Sequence, residues 1–168
     1  AGVYEEIAKR LVAKVNAMKV GDGFEDGVTQ GPLIDTNAIE KVQEHIADAT
    51  AHGAKVIAGG KPHALGGTFF EPTVVRDVTQ SMRFATEETF GPLAPLFRFE
   101  SEEEVIGMAN DTIFGLAAYF FTRDYARIWR VSEALEYGIV GINTGLISNE
   151  LGPFGRVKES GLGRERSK

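Results

Sequence analysis

Along this chain, short β-branched or aromatic runs alternate with amphipathic stretches of about ten to fifteen residues, the spacing of βαβ units. The runs are FFEPTVVRDV, PLAPLFRF, GLAAYFFT and GIVGIN. Strands connected in this way pair mainly in parallel, through right-handed crossovers. The expected class is therefore α/β, a mainly parallel sheet with flanking helices. GLAAYFFT is a continuous apolar run, which predicts a strand buried on both faces.

The helices are read from period and caps. Val3, Ile7, Leu11, Val15 and Met18 predict an amphipathic helix over 3–18, ended by Gly21 and Gly23. Asp35 is placed to cap a second helix with Ile39, Val42 and Ile46 on one face, closed by Gly53. AKVIAGG then reads as a short strand and a glycine turn. Pro72 belongs at a strand start or an edge. Ser101 and Glu104 form an S-x-x-E capping box before Val105, Ile106 and Ala109. Asp124 caps a helix bearing Ile128, Val131 and Leu135, with Gly138 as its terminator. From Thr144 the chain becomes glycine-rich and irregular, with no strand or helix of its own, and looks cut off rather than finished. The expected division is residues 1–143 as an α/β domain and 144–168 as a loop and tail.

Composition removes several function classes. The chain has 168 residues, enough for one domain with a real core. Its net charge of −6, without a basic block, argues against nucleic acid as a partner. No apolar run approaches the roughly 20 residues of a membrane span. The opening AGVYEEIAKR lacks the parts of a signal peptide, and a cytoplasmic setting is expected. There is no cysteine, which excludes disulfides, thiolate zinc sites and Cys nucleophiles within the chain. His45 and His52, on one predicted helix, and His63 lack the carboxylate spacing of a metal site, so no metal is expected. Ser132, Ser148 and Ser160 lack a G-x-S-x-G context.

Three stretches have the makings of a site. In ATEETFGPLAP, Glu88 and Phe90 lie two apart, so extended backbone would turn both to one face before Gly91 and Pro92 end the run. A carboxylate accepts hydrogen bonds from a diol such as ribose, and a ring covers a flat heterocycle, so the pair suits a nucleoside. Solvated acids at a helix end, with Phe90 in the core, is the simpler reading of these residues alone. In NDTIFGLAAYFF, Asn110 holds a turn by local hydrogen bonds and Gly115 allows a special backbone angle or a close approach. In GPFGRVKESGLG, four glycines surround Phe154 and Lys158, which fits a pocket-lining loop as well as a flexible terminus. GLGRERSK offers no helix start, so a phosphate loop is rejected.

Taken together, EETFGP at Glu87–Pro92, NDTIFGLAA at Asn110–Ala118, GIVGIN and PFGRVKESGLG at Pro153–Gly163 follow a familiar order and spacing. In these motifs, and in QGPLID near its start, the chain resembles the aldehyde dehydrogenase superfamily over essentially its whole length. FEPTVV, EETFGPLAP, GLISNE and SGLGRE look most like succinate-semialdehyde dehydrogenases within it. The resemblance implies that Glu88 binds the nicotinamide-ribose hydroxyls and that Phe90 contacts the nicotinamide of NAD or NADP. It implies that Phe154 lines the aldehyde pocket and that Ser148 helps hold the distal carboxylate of the substrate. It further implies a homo-oligomeric parent enzyme. In the family reaction a Cys thiolate attacks the aldehyde, hydride passes to NAD or NADP, and a Glu-activated water hydrolyses the resulting thioester. An oxyanion hole stabilises the charged intermediates.

The chain also departs from the family. With no cysteine present, the nucleophile, its glycine motif, the general-base Glu, the main dinucleotide domain and the substrate-gripping arginines are expected before Ala1. The oligomerisation strand is expected beyond Lys168. The expectation is a truncated catalytic domain with no activity in isolation. The alternative is a non-catalytic module that associates through faces left uncovered. Arg156 and Arg166 stand where the family has glycine. If the first of those glycines occupies a backbone region closed to side chains, Arg156 costs about 1–2 kcal/mol. A positive charge near the pocket mouth is the other reading, and it is weaker than a relaxed loop.

Overall fold

The computed structural model describes residues 2–148 and 152–165. The residue Arg166 and the last two residues of GLISNE lie outside the described residues. The chain forms an α/β structure in two compact units, Ala1–Phe99 and Glu100–Lys168.

The first unit contains α1 (Tyr4–Asn16), α2 (Thr36–Ala51), β1 (Lys55–Ala58), β2 (Thr73–Val78) and β3 (Leu93–Phe97). The sheet order is β1-β2-β3, with β1 antiparallel and β3 parallel to β2. The antiparallel pair arises because the segment after β1 folds back on itself through a Pro62–Phe70 bridge. The segment after β2 instead passes through a 3-10 turn at Arg83–Ala85 and re-enters in parallel. Pro72 directly precedes β2, and Pro95 lies in the edge strand β3, where a missing N–H is tolerated.

α1 differs from its expected outline in two ways. It ends at Asn16, before Gly21, because Val20 is drawn into a bridge with Gln30, and Lys19 accepts from the Thr29 amide at 2.9 Å. Its buried residues are Tyr4, Ala8 and Val15, whereas Val3 and Ile7 are exposed. The face is rotated because Tyr4 has partners on the sheet. Its hydroxyl accepts from the Asp77 amide at 2.8 Å, and the Arg98 guanidinium lies 4.2 Å from its ring centre. Glu5 adds bonds from Arg76 at 2.7 Å and Arg98 at 2.9 Å, and these hold its carboxyl below the ordinary glutamate range.

The core of this unit sits between α2 and the sheet. Val42, Ile46 and Phe70 form one buried cluster; Ala49, Ala54, Val75, Val78 and Met82 form another. α2 starts where the sequence says it should, because the Asp35 carboxylate accepts from the Ala38 amide at 2.9 Å.

The second unit contains α3 (Glu102–Asn110), β4 (Phe114–Gly115), β5 (Ala117–Phe120), α4 (Tyr125–Ala134), β6 (Ile139–Ile142), β7 (Phe154–Gly155), β8 (Val157–Lys158) and β9 (Arg164–Glu165). β5 and β6 pair in parallel; β4 pairs with β8 and β7 with β9, both antiparallel. Ser101 caps α3 through the Glu104 amide at 3.1 Å, while the Glu104 carboxylate returns to the Glu100 amide at 2.7 Å. Asp124 caps α4 through the Arg127 amide at 3.1 Å.

Three expectations change here. GLAAYFFT breaks into two short strands and is not buried on both faces: Leu116, Tyr119 and Phe121 are exposed. Among the described residues β5 pairs with β6 alone, so this chain supplies too few neighbours to cover it. The tail does hold strands, because Val157 and Lys158 pair with Gly115 and Phe114. Gly138 does not end α4, which stops at Ala134. It sits where another backbone passes: a Cβ there would lie 2.1 Å from the Gly155 carbonyl oxygen.

Candidate functional site

The segment from Glu87 to Gly91 is held by α2, whose residues 41, 42 and 45 meet it in turn. The Lys41 ammonium donates to the Glu88 main-chain carbonyl. His45 is fully buried; its Nε2 lies 3.2 Å from the Glu87 carboxylate and its Nδ1 lies 2.8 Å from the Thr89 hydroxyl. Its ring meets Phe84 edge-on, 5.4 Å between centres. Gly91 packs on α2 so closely that a Cβ would come 2.4 Å from a Val42 methyl. Arg83 joins the same face, with its amide 2.9 Å from the Asp48 carboxylate and its guanidinium 3.1 Å from Glu44.

The alternation has a consequence for the two predicted residues. Thr89 and Gly91 face α2, and Glu87 reaches it through one carboxylate oxygen while staying exposed like Glu88 and Phe90. Phe90 is 79% exposed, so it is not a core residue. The backbone is not the extended run that the two-residue spacing presupposes, because Phe90 has φ of 48°. A left-handed angle at a bulky residue is uncommon and is kept only where surrounding contacts enforce it. Here Thr89 on one side and Gly91 on the other are both tied to α2.

His45 is a buried residue of α2. The signal was present: it lies three residues after Val42 and four before Ala49, on the buried stripe of α2. Its burial is tolerable because both ring nitrogens have partners. An ionised carboxylate only accepts, so Nε2 carries a proton, while the Thr89 hydroxyl is able to donate or accept at Nδ1. His52 is bonded to the Asp48 carbonyl of its own helix at 2.8 Å, and His63 accepts from the Leu65 amide at 3.2 Å. Among the described residues, no group of three or more His, Asp or Glu is arranged to hold a metal ion. No described helix is long and apolar enough to cross a membrane.

In the second unit Ser148 is exposed in the irregular segment after β6, and Phe154 opens β7 with partial burial. An open cleft of about 460 Å³ lies at the carboxyl ends of β5 and β6, lined by Phe121, Thr122, Arg123 and Asn143. Neither Ser148 nor Phe154 is among its lining residues. Asn143, at φ 56°, ties the two strand ends by bonding the Thr122 amide at 2.9 Å and its carbonyl at 2.8 Å.

Asn110 does more than hold a local turn. Its amide donates to the Ala134 carbonyl at 2.8 Å and accepts from the Glu136 amide at 2.9 Å, joining the end of α3 to the segment after α4. Gly115 serves as a close approach: a Cβ there would lie 2.9 Å from the Val157 carbonyl. Lys158 donates to the Asn110 carbonyl at 2.7 Å and pairs with Glu136 at 2.7 Å. The positive φ angles of this loop fall on Lys158, at 53°, and on Gly161 and Gly163, and not on Arg156. The backbone cost anticipated for Arg156 therefore does not arise.

A model of the aldehyde dehydrogenase family matches residues 1–168. The chain is 64% identical to the glutarate-semialdehyde dehydrogenase of Pseudomonas aeruginosa, over 99% of this chain and 35% of that protein. It is 61% identical to the succinate-semialdehyde dehydrogenase (NADP(+)) GabD of Escherichia coli strain K12, again over 99% of this chain and 35% of that protein. The crystal structure of succinate-semialdehyde dehydrogenase from Burkholderia pseudomallei superposes with a TM-score of 0.96 at 64% identity, over 98% of this chain and 34% of that one. The chain thus spans about a third of the length of these relatives.

Proposed function

This chain belongs to the aldehyde dehydrogenase family, and on that footing we propose that it is part of an NAD(P)-dependent enzyme oxidising succinate semialdehyde to succinate. Glu88 accepts hydrogen bonds from the ribose hydroxyls next to the nicotinamide, and Phe90 lies against the nicotinamide ring. The observation that carries this reading is that Thr89 and Gly91 are held against α2 while Glu88 and Phe90 beside them are exposed. An exposed carboxylate beside an exposed ring fits a polar diol joined to a flat heterocycle. NAD(P), when bound, supplies the hydride acceptor.

Ser148 donates to the distal carboxylate of the aldehyde, and Phe154 lines its pocket. A hydroxyl bonded to a carboxylate makes a charge-assisted bond, which is stronger than a neutral one. Both the glutarate- and the succinate-semialdehyde relatives are named for substrates that carry such a carboxylate, which supports this role. The thiolate nucleophile and the base come from outside these 168 residues, none of which is cysteine. The chain alone is accordingly inactive, and turnover by the purified 168-residue chain would overturn that statement.

The test uses the full-length enzyme that contains this segment. Glu88→Ala should weaken NAD(P) binding about tenfold, the worth of one hydrogen bond to a charged group. Ser148→Ala should raise KM for succinate semialdehyde while leaving KM for an unbranched aldehyde without the carboxylate unchanged. Unaltered cofactor binding in the first variant, or equal effects on both aldehydes in the second, would overturn the assignment concerned.

A further inference from the structure

We infer that His45 is a positioning residue for the cofactor: through Glu87 and Thr89 it sets the exposed pair Glu88 and Phe90 without touching the cofactor itself. The inference rests on the proposed role of Glu88 and Phe90.

Fully buried histidines need a reason, because an imidazole left without partners in a core is unfavourable. His45 has two partners, and both lie in the segment that carries the exposed pair. Each flanks Glu88: Glu87 on one side at 3.2 Å, Thr89 on the other at 2.8 Å. A single ring therefore holds the side chains of the residues immediately before and after Glu88. Thr89 also precedes Phe90, whose left-handed φ of 48° is an angle that free chain would leave. The hydrogen bond at Thr89 and the Val42 contact at Gly91 bracket that angle from both sides.

The rest of the helix face explains why the histidine and not the helix as a whole is singled out. Lys41 holds only a main-chain oxygen and is an exposed contact; Arg83 bonds to Glu44 and Asp48 and, on the pair's side, reaches Glu87 alone, through its carbonyl at 2.8 Å and its guanidinium at 3.7 Å. His45 alone among these presents two fixed polar atoms to two side chains that bracket Glu88. The imidazole is planar, and its two nitrogens flank one ring carbon with diverging bond directions, so it meets both side chains with one rotamer. Its edge contact with Phe84 fixes the ring plane. Such supporting residues hold a binding group within the small tolerance that recognition demands.

The experiment is a set of variants of the full-length enzyme. His45→Phe keeps a planar ring against Phe84 and removes both hydrogen bonds. Thr89→Val removes one of them with little change of volume and without touching the buried ring, and it decides the matter if His45→Phe does not fold. Glu88→Ala is made in parallel. Binding is measured by titrating each variant with NADPH and following the fluorescence of the reduced nicotinamide, alongside KM for the aldehyde and the melting temperature. Thr89→Val and His45→Phe should each weaken NADPH binding about tenfold, as expected for losing a hydrogen bond to a charged or buried group. KM for the aldehyde should stay within about twofold of the parent, a difference of a few tenths of a kcal/mol. His45→Gln, which keeps one donor and one acceptor, should recover part of the loss.

Unchanged NADPH binding in folded Thr89→Val and His45→Phe, with Glu88→Ala impaired, would overturn the role of His45 and leave the cofactor reading intact. Unchanged binding in Glu88→Ala would remove the cofactor reading, and the role of His45 with it. Equal losses for NADPH and aldehyde, together with a fall in melting temperature, would show general loosening and also overturn the inference.

Discussion

Gly138 and Gly155 pass so close that a Cβ on the first would lie 2.1 Å from the carbonyl oxygen of the second. The same Cβ would lie 2.4 Å from the amide nitrogen of Arg156. Because both contacts are backbone, no rotamer change relieves them. Gly138→Ala should therefore destabilise by at least the ~1–3 kcal/mol of ordinary overpacking. A denaturant titration of the full-length protein reads this directly. A variant as stable as the parent would mean that the backbone of 155–156 does not pass here.

Asn110 joins segments that lie 24 and 26 residues away in sequence. Asn110→Ala removes both bonds and should cost about 1–3 kcal/mol, since the Ala134 carbonyl and Glu136 amide lose their partner. Asn110→Asp should not restore it. The bond from the Glu136 amide is kept, but a carboxylate oxygen then faces the Ala134 carbonyl, acceptor against acceptor. Melting temperatures of the two variants test the point, and an aspartate variant matching the parent would contradict it.

Glu102 sits between Arg127 at 2.5 Å and Arg130 at 3.1 Å, and their hydrogen bonds hold its carboxyl below the ordinary glutamate range. The depressed carboxyl binds its proton less readily in the folded state than in the unfolded one, so its stabilisation is present above the unfolded value of about 4.3. It is lost as pH falls through the lower, folded value. Glu102→Gln removes this part of the acid slope. Melting curves taken from neutrality downward should converge for parent and variant at the acid end. Curves that stay parallel throughout would show that the pair contributes nothing.

Local signals in the sequence were accurate where the physics is local. Asp35, Ser101 and Asp124 each accept from an amide three residues on, so three capping residues located three helix starts. The β-branched runs became strands at the expected places, although GLAAYFFT divided in two. The helical stripe places His45 inward, but its partners Glu87 and Thr89 lie 42 and 44 residues away and no local pattern names them. The role of Gly138 was missed for the same reason: a glycine near a helix end and a glycine under a passing backbone look alike in sequence.

The sequence by itself determined the helices, the β-branched strands and the order of motifs, because these depend on capping, period and turn chemistry within a few residues, whereas the short strands of the tail form only by pairing with distant segments. It also determined that no thiolate could come from this chain, since it has no cysteine. Only the tertiary structure decided which side chains face which. Packing of α2 against Glu87–Gly91 gave the buried His45 its two partners and left Phe90 exposed at a left-handed angle. Those outcomes come from contacts dozens of residues apart, whose energies no local pattern carries.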